Sequence, residues 1–180
     1  MRIFLCVLCL SAACFSCQNE LQKKAAERAE IKALEQQLAA KMDTSTYRLD
    51  KNLAQKMVEK SEAFAAHYPK DTAAAELLFR AADVARGAGN FEKAIALWGN
   101  VNTHFAEAKK APDALFLQAF SSENDLNDKE AARKYYTNFL QKYPSHPMAT
   151  QVNQLLSMLD QSPEEVIKKF QEMNEMLNTK

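Results

Sequence analysis

Apolar positions recur along most of the chain in a helical rhythm. Ala94, Leu97, Trp98, Val101 and Phe105 are spaced by three and four, and Tyr135, Tyr136, Phe139, Leu140 and Tyr143 repeat the pattern. Such spacing puts one apolar stripe on a helix and leaves its other face polar. Partner helices are read between these stripes, over Leu77, Leu78, Ala81, Ala82, Val84 and Ala85, and over Ala114, Leu115, Leu117, Ala119 and Phe120. Asn90 and Asp128 each stand one residue before a helix, where a side-chain oxygen can accept from free N–H groups. Pro69 and Pro144 stand just past helix ends, where a missing N–H does no harm.

The stripes are copies of one another. Ala94, Trp98, Val101 and Phe105 are answered 38 residues later by Ala132, Tyr136, Phe139 and Tyr143. Phe64 and His67-Tyr68 answer Val101 and His104-Phe105 from 37 residues upstream. Tyr68-Pro69 and Tyr143-Pro144 close two of the copies alike. A period of this length is the mark of stacked helical hairpins, each of which buries a face against its neighbours. The aromatics Trp98, Tyr136 and Phe139 are read as core of that stack.

Both flanks continue the helical pattern. Leu21 to about Met42 is highly charged, without proline or glycine, and Ile31, Leu34 and Leu38 mark a short apolar stripe. It reads as a helical spacer, with an oligomerisation helix as the alternative, because a coiled-coil seam needs three or four heptads. Asp43-Thr44-Ser45-Thr46 would end it and cap the next helix. After Pro144, Ala149, Val152, Leu155, Leu156 and Leu159 line one helix. Ser162-Pro163-Glu164-Glu165 then opens a charged terminal capping helix along Val166, Phe170, Met173 and Leu177.

Composition removes several function classes. The 180 residues carry 23 basic and 23 acidic side chains, so no charge excess points to a nucleic-acid partner. The histidines His67, His104 and His146 are never within one helical turn of each other, which leaves no local metal-ligand spacing. No metal or other cofactor is expected. Gly87, Gly89 and Gly99 form no phosphate loop, and the first two flank a helix turn. Ser121-Ser122 has no partnered histidine and aspartate, so no catalytic residue is assigned and the chain is not read as an enzyme.

The cysteines change the picture most. Cys6, Cys9, Cys14 and Cys17 are the only four, and all precede residue 18. Arg2 followed by the apolar or small run from Ile3 to Ala13 has the form of a secretory signal, too short for a membrane span. Small residues before Cys14 and Cys17 give a segment that resembles the lipobox of bacterial lipoproteins, and Phe15-Ser16-Cys17 is similar to signals of the Bacteroidota type. The resemblance implies a covalent lipid on the new N-terminal cysteine. Cys17 is the expected site because the polar run Gln18-Asn19-Glu20 begins there, with Cys14 as the alternative. The chain then divides into a signal peptide over 1–16, a lipidated charged spacer over 17–46 and a repeat domain over 47–180.

The alanine early in each second helix, the aromatic four residues on and the closing Tyr-Pro resemble the tetratricopeptide repeat over roughly residues 50–160. The first helices lack that repeat's consensus tryptophan and glycine. The expected fold class is therefore all-α, antiparallel helical hairpins stacked as a short tetratricopeptide-type solenoid. Gly-Asn-Phe-Glu-Lys-Ala-Ile-Ala-Leu at 89–97 and Ala-Pro-Asp-Ala-Leu-Phe at 111–116 are similar to phrases in BamD-like lipoproteins of outer-membrane barrel assembly and in Tol-Pal-associated division coordinators. That likeness implies a periplasm-facing adaptor, held on the outer membrane by its lipid and partnered by envelope proteins. A coordinator of constriction or peptidoglycan synthesis, and a chaperone-like carrier, are the alternatives. In a stacked array the first helices line a groove, which makes Arg80, Asp83, Arg86, Gln118, Ser122 and Asn124 the candidate partner-binding positions, or else a solvated face.

Overall fold

Helix-forming runs separated by Tyr-Pro, Gly-Asn and Asn-Asp breaks leave the chain little choice but helices joined by short turns. In the computed structural model these are α1 (Ile3–Lys41), α2 (Lys51–His67), α3 (Thr72–Gly87), α4 (Phe91–His104), α5 (Ala111–Asn124), α6 (Lys129–Lys142) and α7 (Ala149–Met158). The structure describes residues 3–42, 49–159, 161, 164–165, 167–168, 171–172 and 175, with side chains from residue 18 onward. No strand occurs among them, and the all-α fold of paired helices expected from the repeat is the one observed. The side chains of Cys14 and Cys17, the segment Asp43–Thr46, and Ser162, Pro163, Val166, Phe170, Met173 and Leu177 lie outside the described residues.

The chain forms two units, Met1–Leu97 and Trp98–Lys180, and the division falls inside α4. In the first unit α2 packs on both α1 and α3. Met57, Phe64 and Ala81 are fully buried there, and Leu77 and Leu78 nearly so. Asp50 caps α2, accepting from the N–H groups of Asn52 at 3.0 Å and Leu53 at 3.1 Å. Asp71 caps α3 through Ala73 N–H at 2.8 Å. The Tyr68 N–H closes α2 on the Phe64 carbonyl, and Pro69 follows where the helix has already ended.

α1 departs from the expected spacer. Its stripe residues Ile31 and Leu38 are buried at 0% and 3% exposure, with Leu34 half-buried beside them. Its charges meet partners on α2 and α3. Lys24 pairs with Asp71, Glu27 faces His67 Nδ1 at 3.4 Å, Glu30 holds Lys60 at 2.8 Å and Glu35 holds Arg80 at 3.2 Å. These contacts run α1 antiparallel to α2 and alongside α3. A stripe of three residues is short for a coiled coil but long enough to cover one face of a neighbour, and the same chain supplies that neighbour.

The Lys24 ammonium beside Asp71, donating to its carboxylate, holds that carboxyl below the usual carboxylate range. A lowered folded value means that Asp71 adds stability above the ordinary pKa of about 3.9, and that this is lost as pH falls through the folded value. Asp71→Ala should destabilise the first unit by about 1–2 kcal/mol, the cap supplying about 1 and the ion pair less. Asp71→Asn should keep most of the cap. Its urea midpoint should also lose that part of the acid-limb dependence which Asp71 contributes. An unchanged acid limb in the asparagine variant would remove the ion pair from the account.

In the second unit α6 packs on α5 and α7. Leu115, Ala119, Ala132, Tyr136, Phe139, Val152 and Leu159 form its core. Asp128 caps α6 through Ala131 N–H at 2.9 Å, and Asn90 caps α4 through Lys93 N–H at 3.3 Å, both as the sequence indicates. Gly89 has φ +83° and Asn127, its counterpart in the repeat, has φ +54°. Each turn needs the left-handed region, which glycine enters freely and asparagine tolerates.

Candidate partner-binding surfaces

A buried amide and a buried hydroxyl show how the second unit spends its polar groups. Asn102, at 5% exposure, donates from Nδ2 to the Ala111 carbonyl at 2.8 Å, and its Oδ1 accepts from Lys142 Nζ at 3.1 Å. One side chain thereby links α4, α5 and α6. Tyr136 is fully buried and donates to Glu123 at 2.9 Å. Burial pushes its hydroxyl pKa up, and the accepting carboxylate pushes it further, so it stays a donor across ordinary pH. Nothing in the repeat announces Asn102, because the same register holds Ala65 upstream and Leu140 downstream.

The six sequence candidates do not form one exposed set. Arg80, Asp83 and Arg86 lie along α3 in the first unit, and Gln118, Ser122 and Asn124 along α5 in the second. Gln118 and Ser122 are 5% and 1% exposed, and Ser122 Oγ donates to the Gln118 carbonyl at 2.8 Å. They are withdrawn as groove residues. Their polarity suggests an open face, but the buried positions of α5 follow those of α3 at an offset of 37 residues, which sets Gln118 and Ser122 in the places of Ala81 and Ala85. Asn124 is exposed and turns back on the Phe120 carbonyl at 3.0 Å. Arg80 is engaged by Glu35. Asp83 is exposed and Arg86 half-buried, and both take part in polar interactions of their own.

Gln118 also explains Gly99. A Cβ at Gly99 would stand 2.7 Å from Gln118 Nε2, so the end of that buried side chain occupies the space that a side chain at position 99 would take. Gly99→Ala should force that buried amide to move and cost about 1 kcal/mol, the low end of the range for overpacking, because the group that yields is the end of a flexible side chain. Pairing it with Gln118→Ala should recover part of the loss, because the clashing group is then absent. Purely additive losses in thermal melts of the two single variants and the double would contradict the contact.

The first unit carries a cleft of about 540 Å³. Its floor is Ala54 and Val58 of α2 with Ala85 and Ala88 at the end of α3, and the Gly89–Asn90 turn closes one side. Lys51, Glu59, Glu62, Glu92 and Lys93 form the rim. Lys93 Nζ lies 2.6 Å from Glu62, and Gln55 donates to Glu59 at 2.9 Å. An apolar floor inside a rim of both signs suits an apolar side chain of a partner segment with polar groups around it. Among the described residues no group of three or more His, Cys, Asp or Glu is placed to hold a metal ion, and no helix is long and apolar enough to cross a membrane. His67 faces Glu27, and His146 Nδ1 accepts from the Met148 N–H at 3.3 Å.

No curated protein matches the chain. One segment does match a family, and it covers most of α5, all of α6 and the Tyr143-Pro144 exit described above. Residues 113–146 match the model of the tetratricopeptide repeat, and the paired helices of the chain are the architecture that such repeats build.

Proposed function

We propose that the chain is a lipid-anchored adaptor of the bacterial cell envelope, working on the periplasmic side of the outer membrane in outer-membrane protein assembly. The observation that carries the binding role is the helical-pair repeat with its tetratricopeptide segment at 113–146, since such repeats generally present helix surfaces to protein partners. The lipobox-like segment ending at Cys17 and the phrases at 89–97 and 111–116 support the envelope setting. The cleft of the first unit is the docking place with the best-matched chemistry, an apolar floor under Glu59, Glu62, Glu92, Lys51 and Lys93. A coordinator of constriction that self-associates through the α1 stripe is less favoured, because α2 covers Ile31 and Leu38.

Crosslinking of the lipidated protein in its native membranes, followed by mass spectrometry, tests this reading. Barrel-assembly proteins should be enriched. The charge reversals Glu59→Lys and Glu92→Lys, both at exposed positions, should deplete them while leaving the melting temperature unchanged. Enrichment of Tol-Pal or cell-wall synthesis proteins alone would replace assembly by the coordinator role. Unchanged enrichment in the reversal variants would move the docking site away from the cleft.

A further inference from the structure

The sequence suggests a spacer between the anchor and the domain, and the structure leaves almost none. α1 is one helix from Ile3 to Lys41, so Cys17 and Lys24 share an unbroken segment. At about 1.5 Å per residue, Lys24 stands only about 10 Å along the axis from Cys17. Lys24 is already docked. It pairs with Asp71 at the start of α3, and its ammonium lies 5.5 Å from the centre of the Tyr68 ring at the end of α2. The turn between α2 and α3 is therefore tied to α1 within about two helical turns of the cysteine.

One exposed residue fits this placement. Leu21 is 63% exposed, whereas Ile31, Leu34 and Leu38 further along the same helix are at least partly buried, and it stands one helical turn beyond Cys17. A diacylated cysteine holds its own backbone at the edge of the hydrocarbon, and the headgroup layer above it is about 5–8 Å deep. One turn of helix is about 5 Å, which brings Leu21 to that depth. Lys23 and Lys70 are exposed at the same end of the unit.

We propose that this end of the first unit, Leu21 with the α2–α3 turn at Pro69–Lys70, rests in the headgroup layer of the anchoring bilayer, so that the lipid fixes the orientation of the unit as well as its location. The inference rests on the proposed lipid at Cys17. The opposite end of the unit then points away from the membrane. Asn52, at the start of α2, lies about 25 Å from the turn along that helix. The cleft, with Lys51 and Gly89 at its edge, opens at this distal end.

Residues 18–180 contain no cysteine, so a single introduced thiol can be labelled without interference. Full-length lipidated protein would be prepared as Lys70→Cys and as Asn52→Cys, both at exposed positions, each carrying the same fluorophore. The proteins are reconstituted into phosphatidylethanolamine–phosphatidylglycerol vesicles doped with a headgroup nitroxide lipid. The expected result is severalfold stronger quenching at position 70 than at position 52, with both proteins floating with the vesicles and melting like the parent. Equal or absent quenching in protein that floats and carries the lipid mass on Cys17 would overturn the proposed orientation while leaving the anchor intact. Protein that neither floats nor carries the lipid would overturn the anchor, and the orientation with it.

Discussion

Phe139→Ala should destabilise the second unit by about 3–5 kcal/mol, the range for removing a large aromatic from a sealed core. Phe139 has no exposed surface and lies in the cluster with Leu115, Ala119, Ala132, Tyr136, Val152 and Leu159. Its ring also meets Tyr143 and His146 in edge-on contacts, with centroids 5.6 and 5.5 Å apart. Helix packing on both sides of α6 cannot collapse into the void without moving α5 or α7, so relaxation recovers little. The exposed Lys134→Ala on the same helix should change stability by less than about 0.5 kcal/mol. Urea unfolding followed by helical circular dichroism and by the fluorescence of Trp98 measures both. A loss below about 1 kcal/mol for Phe139→Ala would mean that the α5–α6–α7 core is not formed as described.

Ile31→Ala tests the role of α1. As a side chain on a free spacer, Ile31 could be shortened with an effect under about 0.5 kcal/mol. As the fully buried centre of the α1–α2 contact, its loss should cost about 2–5 kcal/mol. Glu30→Ala, one residue away, removes only the half-exposed pair with Lys60 and should cost under about 1 kcal/mol. The contrast separates the two sources of attachment: apolar burial holds α1, and the charge pairs fix its register. Melts of the chain lacking residues 1–17 give both values. Equal small effects would return α1 to the role of a tether.

The all-α class, the repeat and its phase can be read along the chain. Three and four spacing fixes which face of each helix is apolar, and a period of 37 to 38 residues puts Val101 and Phe139 in equivalent places, both fully buried. The caps Asn90 and Asp128 were equally legible, because an orphan N–H is satisfied by the nearest side chain in sequence. The cap of α2 was not: it is Asp50, not a residue of the Asp43–Thr46 cluster expected to supply it.

What each polar group faces depends on how the helices meet. Gln118 and Ser122 are polar by type and buried by position, since the space that Ala81 and Ala85 occupy in the preceding copy is here filled by an amide and a hydroxyl. Asn102 links three helices from a register position that is apolar in the neighbouring copies. The charges of α1 look solvent-bound along the chain, yet three of them meet opposite charges on α2, α3 and the Asp71 cap, and Glu27 faces the His67 ring. Periodicity is a property of one helix and can be counted along it. Pairing belongs to two helices, and it rests on buried residues such as Ile31, whose effect exists only once the helices meet.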